Sequence, residues 1–250
     1  MNSTSDAPAL SVVLPTYNER ENILLMMREI VRLLADLSFE IIVVDDNSPD
    51  GTWQVVEEFA REHPQVRLLR RMNARGLTSA YNDGIKHARG RLVMWMDVDF
   101  SMSPERIPEM LRAIDEGADV AVGSRYISGG GDIRGSGMQL TTQLILSKII
   151  TIFCSLTLGC RCSDWTSGYI MIKREILEGY ELYGDHGEYF IGLMYYLIKQ
   201  RRAKITEIPY VLTPRRWGES KTATNLLGLY RRGTRYLHVI WRLRFGGTKG

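Results

Sequence analysis

The chain has few cysteines and no long apolar run. Cys154, Cys160 and Cys162 are too few and too clustered for a disulfide framework, and Cys160-Arg161-Cys162 lacks the second ligand pair of a zinc site. No run of about 18 uninterrupted apolar residues occurs, so no transmembrane helix is predicted. Residues 1–9 lack the basic and apolar regions of a signal peptide. These absences favour a reducing, cytoplasmic environment.

Two common phosphate-binding motifs are also missing. The first apolar run is followed by Pro15-Thr16-Tyr17 and not by the Gly-x-Gly-x-x-Gly of dinucleotide-binding folds, and no Walker A sequence occurs. A bound phosphate would therefore be neutralised by a metal ion and by basic side chains rather than by a glycine-rich cradle.

Composition and charge predict one domain with a basic tail. The 250 residues, 44% of them hydrophobic, can form the core of one α/β domain. Residues 199–250 hold 13 lysines and arginines against two acids, whereas residues 1–198 hold 19 bases and 27 acids. A basic end indicates anionic partners. We expect a flexible N-terminus at 1–9, a catalytic domain at 10–222 and a basic amphipathic tail at 223–250.

Short apolar runs alternate with helical patterns in the first half of the chain. The predicted strands are 10–15, 40–44, 66–69, 92–96 and 119–123, and the predicted helices are 20–35, 52–62, 77–88 and 104–116. This order predicts a doubly wound, mainly parallel sheet with helices on both faces. Asn18 and Glu21 have the spacing of a capping box at the first helix.

Two carboxylates end the fourth predicted strand. Asp97 and Asp99 are one residue apart, and side chains alternate along a strand, so both project the same way. Paired carboxylate oxygens suit Mg²⁺ or Mn²⁺, which would take its remaining ligands from a diphosphate. The alternative is an Asp-rich turn that leads into the helix at Ser103-Pro104.

Other polar clusters follow other strands. Tyr17 and Glu19 follow the first strand, and Asp45 and Asp46 follow the second. Because ligands bind at the carboxyl ends of the strands in doubly wound sheets, these clusters predict one site together with Asp97 and Asp99.

Several of these motifs, in this order, resemble those of a known family. The sequence is similar to family 2 glycosyltransferases of the GT-A fold, within them to the dolichol-phosphate mannose synthase branch, over roughly residues 11–229. The motifs are Val13–Glu19, Val43–Thr52, Asn73-x-x-Gly76, Asp97-Val98-Asp99, Gly123–Tyr126, Ser163–Tyr169 and Arg216–Lys221.

The resemblance implies a role for each matching residue. Pro15, Tyr17 and Glu19 would line the nucleoside pocket, with Asp46 at the base or ribose. Asp97 would face the ribose or the metal, Asp99 would bind the metal, and Ser101 would belong to the metal shell. Arg125 would approach the acceptor phosphate or the donor diphosphate, and Arg216, Ser220 and Lys221 would clamp phosphates when a loop closes.

The chain departs from this branch in the helix that follows the glycine run Gly129–Gly131, which itself is expected to form a mobile loop. The branch usually places a basic residue there near the acceptor phosphate, whereas this chain has Thr141-Thr142-Gln143. Gln143 can donate a hydrogen bond to a phosphate but cannot neutralise it. Arg134 and Lys148 are the candidate replacements.

The implied reaction is transfer of a sugar, with mannose from GDP-mannose as the first candidate, to a membrane polyprenyl phosphate with inversion. A phosphate acceptor is already anionic near neutral pH, since its second pKa is about 6. It needs no catalytic base, and Asp164 is the candidate base only for a hydroxyl acceptor. Another nucleotide sugar or a hydroxyl acceptor is the first alternative. The second is a non-catalytic protein that binds nucleotides or nucleic acid through its basic tail, although the transferase reading predicts no nucleic-acid partner.

A polyprenyl acceptor implies that the protein reaches a membrane surface from the cytosolic side, and it leaves room for a membrane-protein partner. On a helix over 225–244, the apolar face would hold Leu226, Leu229, Tyr230, Tyr236, Leu237, Ile240 and Trp241, opposite Arg231, Arg232, Arg235 and Arg242. A second apolar face comprises Ile145, Ile149, Ile152, Phe153 and Leu156. The alternative is that both helices pack on the domain.

Overall fold

The computed structural model describes residues 7–134, 138–185, 187–218 and 226–246. The first half alternates strands with helices. Its elements are β1 Leu10–Thr16, α1 Arg20–Leu33, β2 Phe39–Asp45, α2 Thr52–Glu62, β3 Val66–Arg70, α3 Leu77–His87 and β4 Leu92–Trp95.

The second half contains longer helices and shorter strands. Its elements are a 3₁₀ turn Pro104–Arg106, α4 Ile107–Asp115, β5 Val120–Ser124, β6 Gly131–Asp132, α5 Met138–Leu158, β7 Ile170–Lys173, a 3₁₀ turn Arg174–Leu177, α6 Tyr189–Tyr195, a π-helical turn Tyr196–Gln200, β8 Ile205–Pro209, β9 Val211–Leu212 and α7 Leu226–Phe245. None of the helices in the described parts of the chain combines the length and apolar character that a membrane span requires.

Seven strands form one sheet in the order β3-β2-β1-β4-β7-β5-β8. All neighbours pair in parallel except β7, which lies antiparallel between β4 and β5. The predicted mainly parallel, doubly wound sheet is therefore confirmed. The inserted antiparallel strand brings the residues that precede β7 to the same edge as the carboxyl ends of the other strands.

Helices cover both faces of the sheet. In β1, Leu10, Val12 and Leu14 join one core, with residues of α1 and α4, and Val13 joins the other, with Trp95 and residues of α3 and α6. Each face is apolar because successive side chains of a buried strand point to opposite sides and both sides are covered.

One local expectation at a helix start is wrong, and another differs only in the type of its first turn. Glu19, not Asn18, is the N-cap of α1, and no side chain caps that helix. Asn18 has a φ of 55° and its backbone N–H donates to Ser48 Oγ, so the capping box does not form. The helix predicted from Pro104 begins instead as a 3₁₀ turn, because Pro108 has no N–H to donate to the Pro104 carbonyl, which accepts from Ile107 instead.

Part of the glycine run after β5, which was expected to form a loop, forms a short strand. Gly131 and Asp132 form β6, which pairs with β9. A Cβ on Gly130 would lie 2.6 Å from the Ser124 carbonyl oxygen, so only glycine allows this close approach to the end of β5.

The two predicted apolar helix faces differ in their exposure to solvent. On α5, all five predicted residues are exposed, from Phe153 at 43% to Leu156 at 79%. On α7, the predicted face is divided: Ile240 is buried with Val239 where α7 packs on α5 and α6, whereas Leu237 and Trp241 are exposed. Arg235 forms an ion pair with Asp185, and Arg242 lies over the Tyr183 ring. The side chains of residues 226–232 are outside the described part of the structure.

Candidate active site

The carboxylates predicted as metal ligands lie just beyond the end of β4. Asp97 and Asp99 flank Val98, which is buried in the core, and Asp99 Oδ1 accepts a hydrogen bond from the Ser101 N–H at 3.0 Å. Tyr81 OH donates to Asp97 Oδ1 at 3.4 Å. The chain turns at Phe100, whose φ is 62°, and this turn folds Ser101 back towards Asp99.

Negative charge is concentrated here. Burial, followed by the nearby carboxylates of Asp99 and Glu19, raises the pKa of Asp97 to about 7. A divalent cation would relieve this repulsion. Over the described ranges, no set of three or more acidic, histidine or cysteine side chains could hold a metal ion by itself. The Asp97–Asp99 pair therefore fits a metal that shares its coordination with a ligand such as a diphosphate.

Arg215 is a basic residue in contact with these carboxylates, although the sequence motifs indicated its neighbour Arg216 instead. Arg215 Nη2 donates to Glu19 Oε1 and Oε2 at 2.8 and 3.0 Å, and Nη1 lies 3.5 Å from Asp99 Oδ2. Arg216, which the sequence motifs indicated as a phosphate ligand, donates its backbone N–H to the Asp99 carbonyl oxygen at 2.9 Å. Its guanidinium lies over the rings of Phe100 and Trp217. The two neighbouring guanidinium groups therefore differ, because that of Arg215 contacts the carboxylates and that of Arg216 lies on aromatic rings.

The segment that carries both arginines is tied across the site. Thr213 donates its N–H to the Ser101 carbonyl and its hydroxyl to the Phe100 carbonyl, at 3.1 and 3.0 Å. Asn22 of α1 donates to the Trp217 carbonyl at 3.2 Å. Residues 213–218 thus bridge the loop after β4 and the start of α1. The predicted clamp residues Ser220 and Lys221 lie outside the described residues.

The predicted nucleoside pocket surrounds the ends of β1 and β2. Pro15 and Tyr17 are at the end of β1, and the Arg75 guanidinium stacks 3.9 Å from the centroid of the Tyr17 ring. Asp46 accepts from Arg71 Nε at 2.7 Å and from the Gly76 N–H at 2.8 Å. In this structure Asp46 therefore holds the basic glycine loop that carries Arg75, in addition to any contact with a base or ribose.

A buried ion pair lies after β5. Arg125 Nε and Nη2 donate to the two carboxylate oxygens of Asp164, each at 2.7 Å, and Nη2 also donates to Thr166 Oγ1 at 2.7 Å. Burial opposes the charge of Arg125, but the Asp164 carboxylate outweighs it and raises the pKa of Arg125. Asp164 is 0% exposed and fully engaged, so it is unsuited to act as a base.

The chain matches known proteins over most of its length. Residues 11–180 match the family described as glycosyl transferase family 2. The chain is 36% identical over 242 residues to the dolichol-phosphate mannosyltransferase of Pyrococcus furiosus, covering 94% of this chain and 63% of that protein. It is 35% identical over 217 residues to the polyprenol monophosphomannose synthase of Mycolicibacterium smegmatis, covering 84% of this chain and 79% of that protein.

Solved structures agree on the fold. Glucosyl-3-phosphoglycerate synthase from Mycobacterium tuberculosis, in complex with Mn²⁺, UDP and glucosyl-3-phosphoglycerate, superposes with a TM-score of 0.67 at 19% identity, covering 95% of this chain and 80% of that one. The same enzyme in complex with Mg²⁺ and UDP also gives a TM-score of 0.67, at 18% identity and with coverage of 95% and 79%. The chain belongs to glycosyl transferase family 2 and has the predicted GT-A fold. It spans 63% of the length of the Pyrococcus relative.

Proposed function

We propose that the protein transfers mannose from GDP-mannose to a polyprenyl phosphate, with inversion at the anomeric carbon and with Mg²⁺ or Mn²⁺. The names of the two sequence relatives support the sugar and the acceptor class. The arrangement of residues at the sheet edge supports the division into a donor half around Asp97 and Asp99 and an acceptor half around Arg125.

In the donor half, Asp97 and Asp99 would hold the metal ion, with Ser101 beside them. The ion would neutralise the charge that develops on the leaving diphosphate. Arg215 would orient the diphosphate side of the metal site, and Ser220 and Lys221 are proposed to contact phosphates. For Arg216, whose guanidinium lies over Phe100 and Trp217, we propose a smaller contribution. Pro15, Tyr17, Glu19 and Asp46 would shape the nucleoside pocket, with Arg75 stacked on Tyr17.

The observation that carries the acceptor class is the engagement of the carboxylates after β5. Asp164 is held by Arg125, and Asp132 is held by Arg134 at 2.9 and 2.7 Å. Neither carboxylate is available to remove a proton from a hydroxyl. This suits an acceptor whose attacking oxygen is already anionic, as in a phosphate monoester. The ends of β4 and β5 are two strand spacings apart, about 10 Å, because only β7 separates the strands.

An exposed apolar surface supports a lipid acceptor. The α5–α7 apolar surface comprises Ile145, Ile149, Ile152, Phe153 and Leu156 of α5 and Leu237, Trp241 and Phe245 of α7, all at least 43% exposed. Phe153, Leu237, Trp241 and Phe245 line one groove. Contiguous apolar surface of this kind is typical of interaction sites, and with the basic tail it suits the cytosolic face of a membrane. A membrane-protein partner could cover part of the same surface.

A panel of nucleotide sugars tests the donor. GDP-mannose, GDP-glucose, UDP-glucose and UDP-galactose are each incubated with the purified chain, Mg²⁺ or Mn²⁺ and a short polyprenyl phosphate, and the lipid-linked product is identified by mass spectrometry. Product from GDP-mannose alone supports the proposal. Product from a UDP-sugar alone would replace the donor while retaining the acceptor.

A further inference from the structure

Among the described side chains, the acceptor half of the site has no cation that is plainly free to bind a phosphate. Arg125 faces Asp164, and the helix expected to supply a basic residue has Thr141-Thr142-Gln143 at the corresponding place. A phosphate bound near Arg125 therefore needs a cation from elsewhere. Arg134 and Lys148 are the two basic residues near enough in sequence to supply this cation. Their contacts in the structure differ.

Arg134 forms an ion pair with Asp132. Its Nε and Nη2 donate to the two carboxylate oxygens of Asp132, at 2.9 and 2.7 Å. Asp132 has a side chain that is 2% exposed, so its negative charge is buried beside Arg134. Moving the Arg134 guanidinium to a phosphate would leave this buried carboxylate without its closest partner, which is costly.

The side chain of Lys148 is held less tightly than that of Arg134. It is exposed on α5, and within the described ranges no carboxylate lies within ion-pair distance of its Nζ. The Nζ lies 5.6 Å from the centroid of the Tyr126 ring, and the Arg125 guanidinium lies 5.0 Å from the same centroid. Lys148 and Arg125, the arginine that marks the acceptor half of the site, thus lie near the same tyrosine ring.

Ser147, the residue before Lys148, attaches this part of α5 to the buried ion pair. Ser147 Oγ accepts a hydrogen bond from Arg125 Nη2 at 3.4 Å and lies 2.7 Å from Thr166 Oγ1. Because Thr166 is itself bonded to Arg125 and Asp164, this turn of α5 is attached to the buried ion pair. Only the side chain of Lys148 needs to move to reach a ligand.

The surroundings of Lys148 match an amphiphilic ligand. Ile145, Ile149 and Ile152, at 52%, 53% and 59% exposure, lie three residues before, one after and four after Lys148 on the helix. Residues three or four apart lie on the same side of a helix, and Leu156 extends this apolar strip by another turn. The strip from Ile145 to Leu156 is about 16 Å long at 1.5 Å per residue. A phosphate with an apolar chain would meet a cation and an apolar path on the same helix.

We propose that Lys148 binds the phosphate of the lipid acceptor and compensates for the missing basic residue near Gln143. This inference rests on the proposed function. Lys148 is a binding residue and takes no part in proton transfer. Its charge holds the phosphate beside Arg125 and Tyr126, and the isoleucines of α5 contact the first part of the prenyl chain.

The test compares Lys148→Gln, Lys148→Arg and a matched control, Lys86→Gln, which changes an exposed lysine on α3. A short, water-soluble polyprenyl phosphate is used without membranes, so that binding of Lys148 to bulk lipid headgroups does not contribute. We expect Lys148→Gln to raise the KM for this acceptor about tenfold, in line with the loss of one partly exposed charged hydrogen bond. The KM for the nucleotide sugar and kcat should be close to those of the wild type, Lys148→Arg should restore most of the acceptor affinity, and Lys86→Gln should have no effect.

An unchanged acceptor KM in Lys148→Gln, or a change that appears only with anionic vesicles, overturns the assignment while leaving the proposed function standing. If Arg134→Gln raises the acceptor KM and Lys148→Gln does not, Arg134 is the phosphate ligand instead. If the wild type transfers no sugar to any polyprenyl phosphate, the proposed function fails and the role of Lys148 fails with it.

Discussion

Arg215 Nη2 donates to both carboxylate oxygens of Glu19, at 2.8 and 3.0 Å, across 196 residues of sequence. The same guanidinium lies 3.5 Å from Asp99. One side chain therefore joins the segment 213–218 to the start of α1 and to the proposed metal ligand. The segment is held over the site by charge, and a bound metal or diphosphate would change the charges that hold it.

The first prediction separates Arg215 from its neighbour. We expect Arg215→Ala to lower kcat/KM about 100-fold, equivalent to about 2.7 kcal/mol, because the variant loses a charged group that faces the proposed diphosphate site. Arg216→Ala should lower it less than tenfold, since the Arg216 side chain lies on Phe100 and Trp217. Steady-state kinetics with varied nucleotide sugar measure both. A larger loss in Arg216→Ala would mean that Arg216 is the phosphate ligand and that Arg215 only holds the loop.

The second prediction concerns pH and Asp97. The folded protein holds the pKa of this carboxyl at about 7, whereas the unfolded chain releases the same proton near pH 4. Between these values the folded state binds more protons, so the free energy of unfolding decreases as pH rises through this window. In metal-free buffer, Asp97→Asn should be more stable than the wild type at pH 8, by about 2 kcal/mol given partial access of solvent.

Urea unfolding at pH 4.5 and pH 8 checks this difference, which should be small at the lower pH. The control is Asp115→Asn, which changes an exposed residue at the end of α4. It should show no such pH dependence. Equal stabilities of Asp97→Asn and the wild type at pH 8 would mean that Asp97 titrates normally. Metal affinity of the wild type should rise as pH increases through about 7, because the ligand must lose its proton.

The third prediction concerns the ion pair of Arg125 and Asp164. Asp164→Asn removes the closest counter-charge of a buried guanidinium and leaves only Asp132, 3.8 Å away, so we expect a loss of about 3 kcal/mol in the free energy of unfolding. Asp36→Asn, an exposed change after α1, should be neutral. If Asp164 were a base, the variant would retain its stability and lose only turnover, and denaturant unfolding together with transfer kinetics distinguishes the two roles.

The fourth prediction concerns the α5–α7 apolar surface. The double variant Ile152→Asn and Leu156→Asn should reduce binding to anionic vesicles at least several-fold, because it removes two exposed apolar side chains that would enter the interface. With a short, soluble acceptor, kcat and the KM for the nucleotide sugar should be retained, because neither residue belongs to the donor half. Met72→Asn, an exposed apolar residue outside the surface, should bind vesicles like the wild type. Normal vesicle binding by the double variant would assign this surface to a protein contact.

The sequence predicted the parallel framework well because its signals are local. Each strand of the first half is a short apolar run that ends in polar residues, and each helix has regular apolar spacing. The position of β7 could not be predicted in this way: Ile170–Lys173 is only four residues long, and its place between β4 and β5 depends on packing against both. The 3₁₀ start of the helix after Ser103 follows from Pro108, a signal that the sequence contained.

The site was predictable as a set of strand ends but not as a set of contacts. Asp97, Asp99 and Glu19 are brought together, as expected from the common edge of the sheet. Which of two adjacent arginines faces them depends on the path of the loop after β9. Similarly, the sequence could not show that Asp46 and Asp164 are engaged by Arg71 and Arg125, because these partners are 25 and 39 residues away.

The central claim is that the acceptor supplies its own anionic nucleophile. The most direct test incubates the purified chain with radiolabelled GDP-mannose and Mg²⁺ or Mn²⁺, with either a short polyprenyl phosphate or the corresponding polyprenol, and measures label in the lipid fraction. Asp99→Asn and excess chelator serve as controls, and both should abolish transfer. We expect labelled lipid from the phosphate and none from the alcohol. Equal labelling of the polyprenol, or undiminished transfer by Asp99→Asn in chelator, would contradict it.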